Sequence, residues 1–135
     1  MIAEKDLYMI DLPNTTIDLY RMGNATWPNF AEKRARKDLI IERHNDVEFI
    51  VANKNGFSAW DHVTRRMKEP GEKIWRIKKG AALPPEVRVV QDLTTPGHYM
   101  LAPIRTMPLM MFLSALLDLG MDPSRVERVL LSRGR

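Results

Sequence analysis

Cysteine is absent from the 135 residues. That absence excludes disulfide frameworks, thiolate zinc sites and cysteine nucleophiles together, and leaves a reducing, cytosolic working place as the simpler expectation. Histidine is scarce: only His44, His62 and His98 occur. They are not spaced as a metal set and no carboxylate cluster accompanies them, so no metal is expected. Gly-rich phosphate loops of the Walker or Rossmann kind are also missing. The most apolar segment, residues 107–119, is too short to span a bilayer and reads as a buried helix. Residues 1–11 mix charged and apolar side chains, and no signal peptide is expected there. With no repeat, low-complexity tract or long linker, one domain over residues 1–135 is expected, large enough to bury a core unaided.

Charge is plentiful and slightly basic. Lys and Arg number 21 against 17 Asp and Glu, a formal net charge of +4. The basic residues gather in Lys33-Arg34-Ala35-Arg36-Lys37, in Arg65-Arg66, in residues 73–79 and in the C-terminal tail. Such patches serve either as solvated faces or as a contact for a polyanion.

Residues 15–22 read as a strand with Ile17, Leu19 and Arg21 on one face and Asp18, Tyr20 and Met22 on the other, broken by Gly23-Asn24. After Pro28 the composition of residues 30–43 predicts a charged surface helix. Residues 47–52 predict a strand ending at the turn signal Asn53-Lys54-Asn55-Gly56. Ser58 is placed to cap a helix over residues 59–67, stopped by Pro70-Gly71. Strands are expected at 74–77, 87–90 and 98–102, the first two separated by the proline-containing loop 80–85. Pro108 opens an apolar helix to Leu119 with Gly120 as its left-handed cap, and Asp122-Pro123 opens a second helix carrying Val126, Val129, Leu130 and Leu131. A helix-turn-helix DNA reader is disfavoured, because the first helix is apolar nearly all round and the second offers few polar side chains for base edges.

Several residues admit a structural and a chemical reading. Arg21 in a β-pattern either points to solvent or meets an anionic partner. Ser58 is a helix cap or a functional hydroxyl, and both roles can coexist. Phe57 and Trp60 are core residues or rings lining a cleft. His98, at the mouth of an apolar strand, is a hydrogen-bonded structural residue or a proton-transfer group.

From Asn55 to Leu119 the chain resembles the Tse-two family of type VI secretion toxins, which have an ADP-ribosyltransferase-like fold. The likeness runs through Gly56, Ser58, Trp60-Asp61, Arg65-Arg66, Leu83-Pro84-Pro85, Val87, Val89, Gln91-Asp92, His98-Tyr99, Pro103 and Met107, and Leu19-Tyr20-Arg21 extends it to the first strand. The resemblance implies an α+β fold, with two small, mostly antiparallel sheets around a cleft and helices at the flanks. It also implies a growth-inhibiting toxin acting in the cytoplasm by NAD-dependent ADP-ribosyl transfer to an unidentified target. A cognate immunity or antitoxin protein covering the cleft goes with it.

On the same resemblance Ser58 and His98 are the catalytic candidates, and Arg21, Tyr20, Gly56, Phe57, Trp60 and Tyr99 are expected to contact NAD. Phe57 replaces the threonine of the family's threonine-serine pair. The Glu-x-Glu of many ADP-ribosyltransferases is absent, and His98-Tyr99 falls near its place. Cleaving the nicotinamide-ribose bond passes through an oxocarbenium-like state, so positioning and charge stabilisation matter more than a strong nucleophile. Two other functions remain open: a non-enzymatic module that contacts nucleic acid or an acidic protein through the basic patches, and an NAD-dependent RNA phosphotransferase.

Overall fold

The structure, a computed structural model, describes residues 7–10 and 14–131. Most of residues 1–11 and the end of the basic tail lie outside the described residues. Ten strands and two α-helices are present among the described residues. The strands are β1 (Leu7–Ile10), β2 (Leu19–Gly23), β3 (Ile41–His44), β4 (Val47–Ile50), β5 (Phe57–Trp60), β6 (Lys73–Ile77), β7 (Val87–Asp92), β8 (His98–Pro103), β9 (Met107–Pro108) and β10 (Val126–Val129). The helices are α1 (Glu32–Asp38) and α2 (Leu109–Gly120). Seven strands form one sheet in the order β1-β7-β8-β5-β2-β6-β10, and three form a second in the order β3-β4-β9. Every pairing in both is antiparallel.

The α+β expectation and the antiparallel sheets hold, although the larger sheet is not small. Its core face carries Leu19, Phe57, Ala59, Val89 and Leu101, packed with Phe112, Leu116 and Leu119 of α2 and with Phe30. The aromatic centre is Phe57, edge-on to Phe30 at 5.5 Å and stacked on Phe112 at 6.2 Å between centroids. Rings at these separations add about 0.5–1.5 kcal/mol per pair beyond their area burial. The buried residues of α2 recur at helical spacing (Leu109, Phe112, Leu113, Leu116, Leu119), whereas Met110 and Leu117 face outward, 59% and 48% exposed. The helix is therefore one-sided rather than buried all round.

Three predicted helices differ in the structure. Residues 59–67 supply no α-helix: Phe57–Trp60 is strand β5, and only a 3-10 turn, Arg66–Lys68, follows. Phe57 and Ala59 point inward and Ser58 and Trp60 outward, and pairing with β8 fixes that alternation. Ser58 is consequently a strand residue and not a helix cap. The predicted helix 30–43 ends at Asp38, and Ile41–His44 turns into β3. Asn45 and Asp46, both at positive φ (51° and 65°), close a hairpin onto β4. Two consecutive left-handed residues match the twist of the flanking strands.

At the C-terminal end, Val126–Val129 is β10 and not a helix. Val126 and Val129 stand three apart, as on a helix, but they are β-branched and complete the exposed edge of β6. This removes the helical hairpin. Gly120 is the last residue of α2 and is not among the left-handed glycines. A Cβ there would approach Pro28, Phe30 and Trp27 at 3.2–3.3 Å, so close packing against that loop, rather than capping, accounts for it.

Candidate active site

Strands β7 and β8 form a hairpin whose loop, residues 93–97, brings Asp92 and His98 together. Asp92 Oδ1 accepts hydrogen bonds from Thr94 N–H at 2.8 Å and from Thr94 Oγ1 at 2.5 Å, an Asx turn that shapes the loop. Gly97, at φ 78°, completes the reversal where a Cβ would strike Asp61 and His62. His98 begins β8 with Nδ1 2.8 Å from Asp92 Oδ2. Burial alone would raise the Asp92 carboxyl; the hydrogen bonds from Thr94 and His98 outweigh it and hold the group below the usual carboxylate range.

On the other side of the ring, His98 Nε2 lies 2.9 Å from Ser58 Oγ. Register explains the contact: Trp60 stands opposite His98 and Ser58 opposite Met100, so Ser58 is the diagonal neighbour of His98 on one face of the sheet. Trp60 packs on the imidazole with ring centroids 4.5 Å apart and limits its rotation. Burial is graded along the chain of contacts. Ser58 is exposed, His98 is 8% exposed and Asp92 is 3% exposed.

Ser58 borders two grooves. One, of about 280 Å³, is lined by Arg21, Asn29, Arg34, Trp60, Arg66 and Glu72 among others. The other, of about 520 Å³, includes Gly56, His98, Met100, Arg34, Lys37 and Asp38. The grooves share Ser58 and Arg34 in their linings, and beside them β2 and β5 pair only at Tyr20 and Trp60. Arg21 fills the gap. Its Nε donates to the Pro28 carbonyl at 2.7 Å, Nη1 to the Ser58 carbonyl at 2.8 Å and Nη2 to the Asn29 carbonyl at 2.9 Å. The guanidinium carbon sits 4.9 and 5.0 Å from the ring centroids of Phe30 and Phe57.

Arg21 makes no ion pair with a described carboxylate. Burial, with the nearby Arg34 charge adding to it and Asp38 opposing it, lowers its pKa to about 10, so it remains a cation at neutral pH. A buried cation facing a groove, with Arg34 and Arg66 on the walls, fits an anionic ligand such as a pyrophosphate. Three of the five guanidinium N–H donors hold carbonyls, which leaves two for such a ligand.

The structure thus brings together Ser58, His98, Trp60, Gly56 and Arg21 around one cleft. Gly56 is required by close approach: a Cβ would lie 2.0 Å from the Leu101 carbonyl oxygen. Three expected contact residues are not in the lining of either groove. Phe57 alternates into the core beneath Arg21. Tyr99, opposite Ala59, faces the side of the sheet away from His98 and borders a cavity of about 10 Å³ with Thr15 and Ile17. Tyr20 stands opposite Trp60 on the same face of the sheet, and its hydroxyl accepts from Arg76 Nη1 at 3.4 Å. Sequence reasoning gave no role to Asp92, and gave Arg34 and Arg66 only that of basic patches facing solvent, a polyanion or an acidic protein. The signal for Asp92 was a carboxylate just before a Thr-Thr-Pro-Gly turn that leads into a histidine. Among the described residues no group of three or more His, Asp or Glu is placed to hold a metal, and no helix is long and apolar enough to cross a membrane.

Antiparallel sheets in this order, parted over a basic cleft with a histidine and a serine at the fork, are consistent with an ADP-ribosyltransferase-like fold. Comparison with family models agrees: the family described as Tse2 ADP-ribosyltransferase toxin matches residues 17–120, and the chain belongs to that family. Comparisons with curated proteins and with solved structures yield no match.

Proposed function

We propose that the chain is a growth-inhibiting toxin that cleaves the nicotinamide-ribose bond of NAD in the cytoplasm of a target cell and transfers ADP-ribose to a component of that cell. The observation that carries this reading is the exposed Ser58 hydroxyl, bonded to His98 and standing where a basic groove floored by Arg21 opens into a second groove. Arg21, Arg34 and Arg66 hold the dinucleotide's phosphates, Trp60 lines the nicotinamide-ribose end, and Ser58 with His98 acts at the ribose. NAD supplies the ADP-ribosyl group when bound. Delivery by a type VI secretion system accords with the family's name-giving toxin.

A cognate immunity protein acts by covering this cleft. Because Arg34, Lys37 and Arg66 border the opening, its contact face is acidic. Incubation of the purified protein with NAD labelled in the adenylate half, together with a bacterial cytosolic extract, tests the proposal. The expected result is labelled protein or nucleic acid that is lost with Ser58→Ala. Full recovery of intact NAD from the extract at confirmed protein solubility overturns it.

A further inference from the structure

We infer that Asp92 and His98 make Ser58 a proton-accepting relay, so that the acceptor of ADP-ribose is a neutral hydroxyl or water rather than a phosphate or carboxylate. The inference rests on the NAD-cleaving reading above and specifies its acceptor. An ionised carboxylate can only accept hydrogen bonds. Asp92 Oδ2 therefore faces a protonated Nδ1, and the ring in its neutral form presents a bare Nε2 to Ser58. Ser58 Oγ–H donates to that nitrogen, and its lone pairs remain for a donor in the grooves it borders.

Polarity thus runs one way, from groove to serine to imidazole to buried carboxylate. The Asp92 side chain is only 1% exposed and that of His98 10%. Burying such a couple carries a desolvation cost that a serine on an open strand does not require for folding. Trp60 against the ring keeps Nε2 aimed at Ser58. The arrangement supplies the base that the missing Glu-x-Glu does not.

The step balances. The bond from C1′ to the nicotinamide nitrogen breaks and its electron pair goes to that nitrogen, cancelling its charge. A bond forms from C1′ to the acceptor oxygen. The acceptor's proton passes to Ser58 Oγ as the Ser58 proton passes to His98 Nε2, and the imidazolium is held by Asp92 until it releases the proton to water. A phosphate or carboxylate acceptor has no proton to lose, so for it the relay is idle.

Asp92→Asn is the decisive variant because Thr94 fixes how the amide sits. Its backbone N–H and hydroxyl both donate to the Oδ1 position, so the amide oxygen must occupy that position and the NH₂ faces His98. A donor there moves the imidazole proton from Nδ1 to Nε2. Every hydrogen bond survives, but the relay runs backwards. With purified full chain, the expected result is a loss of NAD cleavage by water of roughly 100- to 10,000-fold. KM for NAD is unchanged, and added sodium azide, a nucleophile with no proton to lose, restores turnover as ADP-ribosyl azide. Nitrogen NMR of the imidazole should show the proton on Nε2 in the variant and on Nδ1 in the parent. His98→Gln should likewise be rescued by azide.

Wild-type turnover in Asp92→Asn, or a loss in both variants that azide leaves unrepaired, overturns the relay alone. No NAD cleavage by the parent protein overturns the transferase reading and the relay with it.

Discussion

Replacing Arg21 by alanine strips donors from the carbonyls of Pro28, Asn29 and Ser58 and opens a gap between Phe30 and Phe57. Hydrogen bonds to a charged group contribute about 1.5–3 kcal/mol each and are not additive; relief from burying the cation offsets part, so a net loss of about 3 kcal/mol is expected. Urea unfolding measures it, and a midpoint equal to wild type would show that the clamp is idle. Arg21→Ala therefore confounds folding with the proposed NAD binding, and Arg34→Gln or Arg66→Gln is the cleaner probe of the proposed phosphate site. Ser58→Ala separates the two effects. The hydroxyl is exposed and makes one contact, to His98, so stability should change by no more than about 1 kcal/mol. Growth arrest on expression in a bacterial cytoplasm should nevertheless disappear. A folded Ser58→Ala protein that still arrests growth removes Ser58 from the mechanism.

At the scale of elements, the β3–β4 hairpin and the approach of β5 to β8 make the sharpest demands. Asp46 sits at φ 65°, where a side chain is strained and glycine is not. Asp46→Gly should raise stability by about 0.5–1 kcal/mol, read as a higher melting temperature with toxicity unchanged. Gly56→Ala should do the reverse. Its Cβ would meet the Leu101 carbonyl oxygen at 2.0 Å, and backbone cannot yield as a flexible side chain does. A loss of about 3 kcal/mol or more is expected, with Ser58 displaced from His98. Thermal unfolding within a degree of wild type would contradict the rigidity assigned to that contact.

Across the whole molecule, Asp92 ties stability to acidity. Its folded carboxyl is held below the ordinary range, whereas the unfolded group titrates near about pH 4. The unfolded chain therefore binds this proton more readily. The stabilisation is complete above the unfolded value and is lost as pH falls through the folded one. Asp92→Asn should flatten the decline of melting temperature below about pH 4, and an unchanged slope would place acid sensitivity elsewhere. Asp122, Glu48 and Glu127 are also shifted down, through hydrogen bonds with Ser124, Arg36 and Arg76 respectively, but they are more exposed and better screened.

The strands at residues 74–77, 87–90 and 98–102 and the helix from Pro108 were legible because alternation, β-branching and a proline start are local properties of the chain. Sequence also determined that this chain carries no thiol, and its resemblance to a toxin family nominated Ser58 and His98. Helix and strand were confused wherever a short segment's state depended on its neighbours. Residues 57–60 and 126–129 are strands because β8 and β6 offered them edges, and no local rule contains those edges. Only the tertiary structure decided the site itself. Asp92 meets His98 across a hairpin loop, Ser58 meets His98 across a strand pair, and Arg21, a candidate ligand contact, is also a clamp on backbone carbonyls at the floor of the groove. Proton direction through such a site depends on distances of about 3 Å between atoms on different strands, which pairing register fixes and residue order along the chain does not.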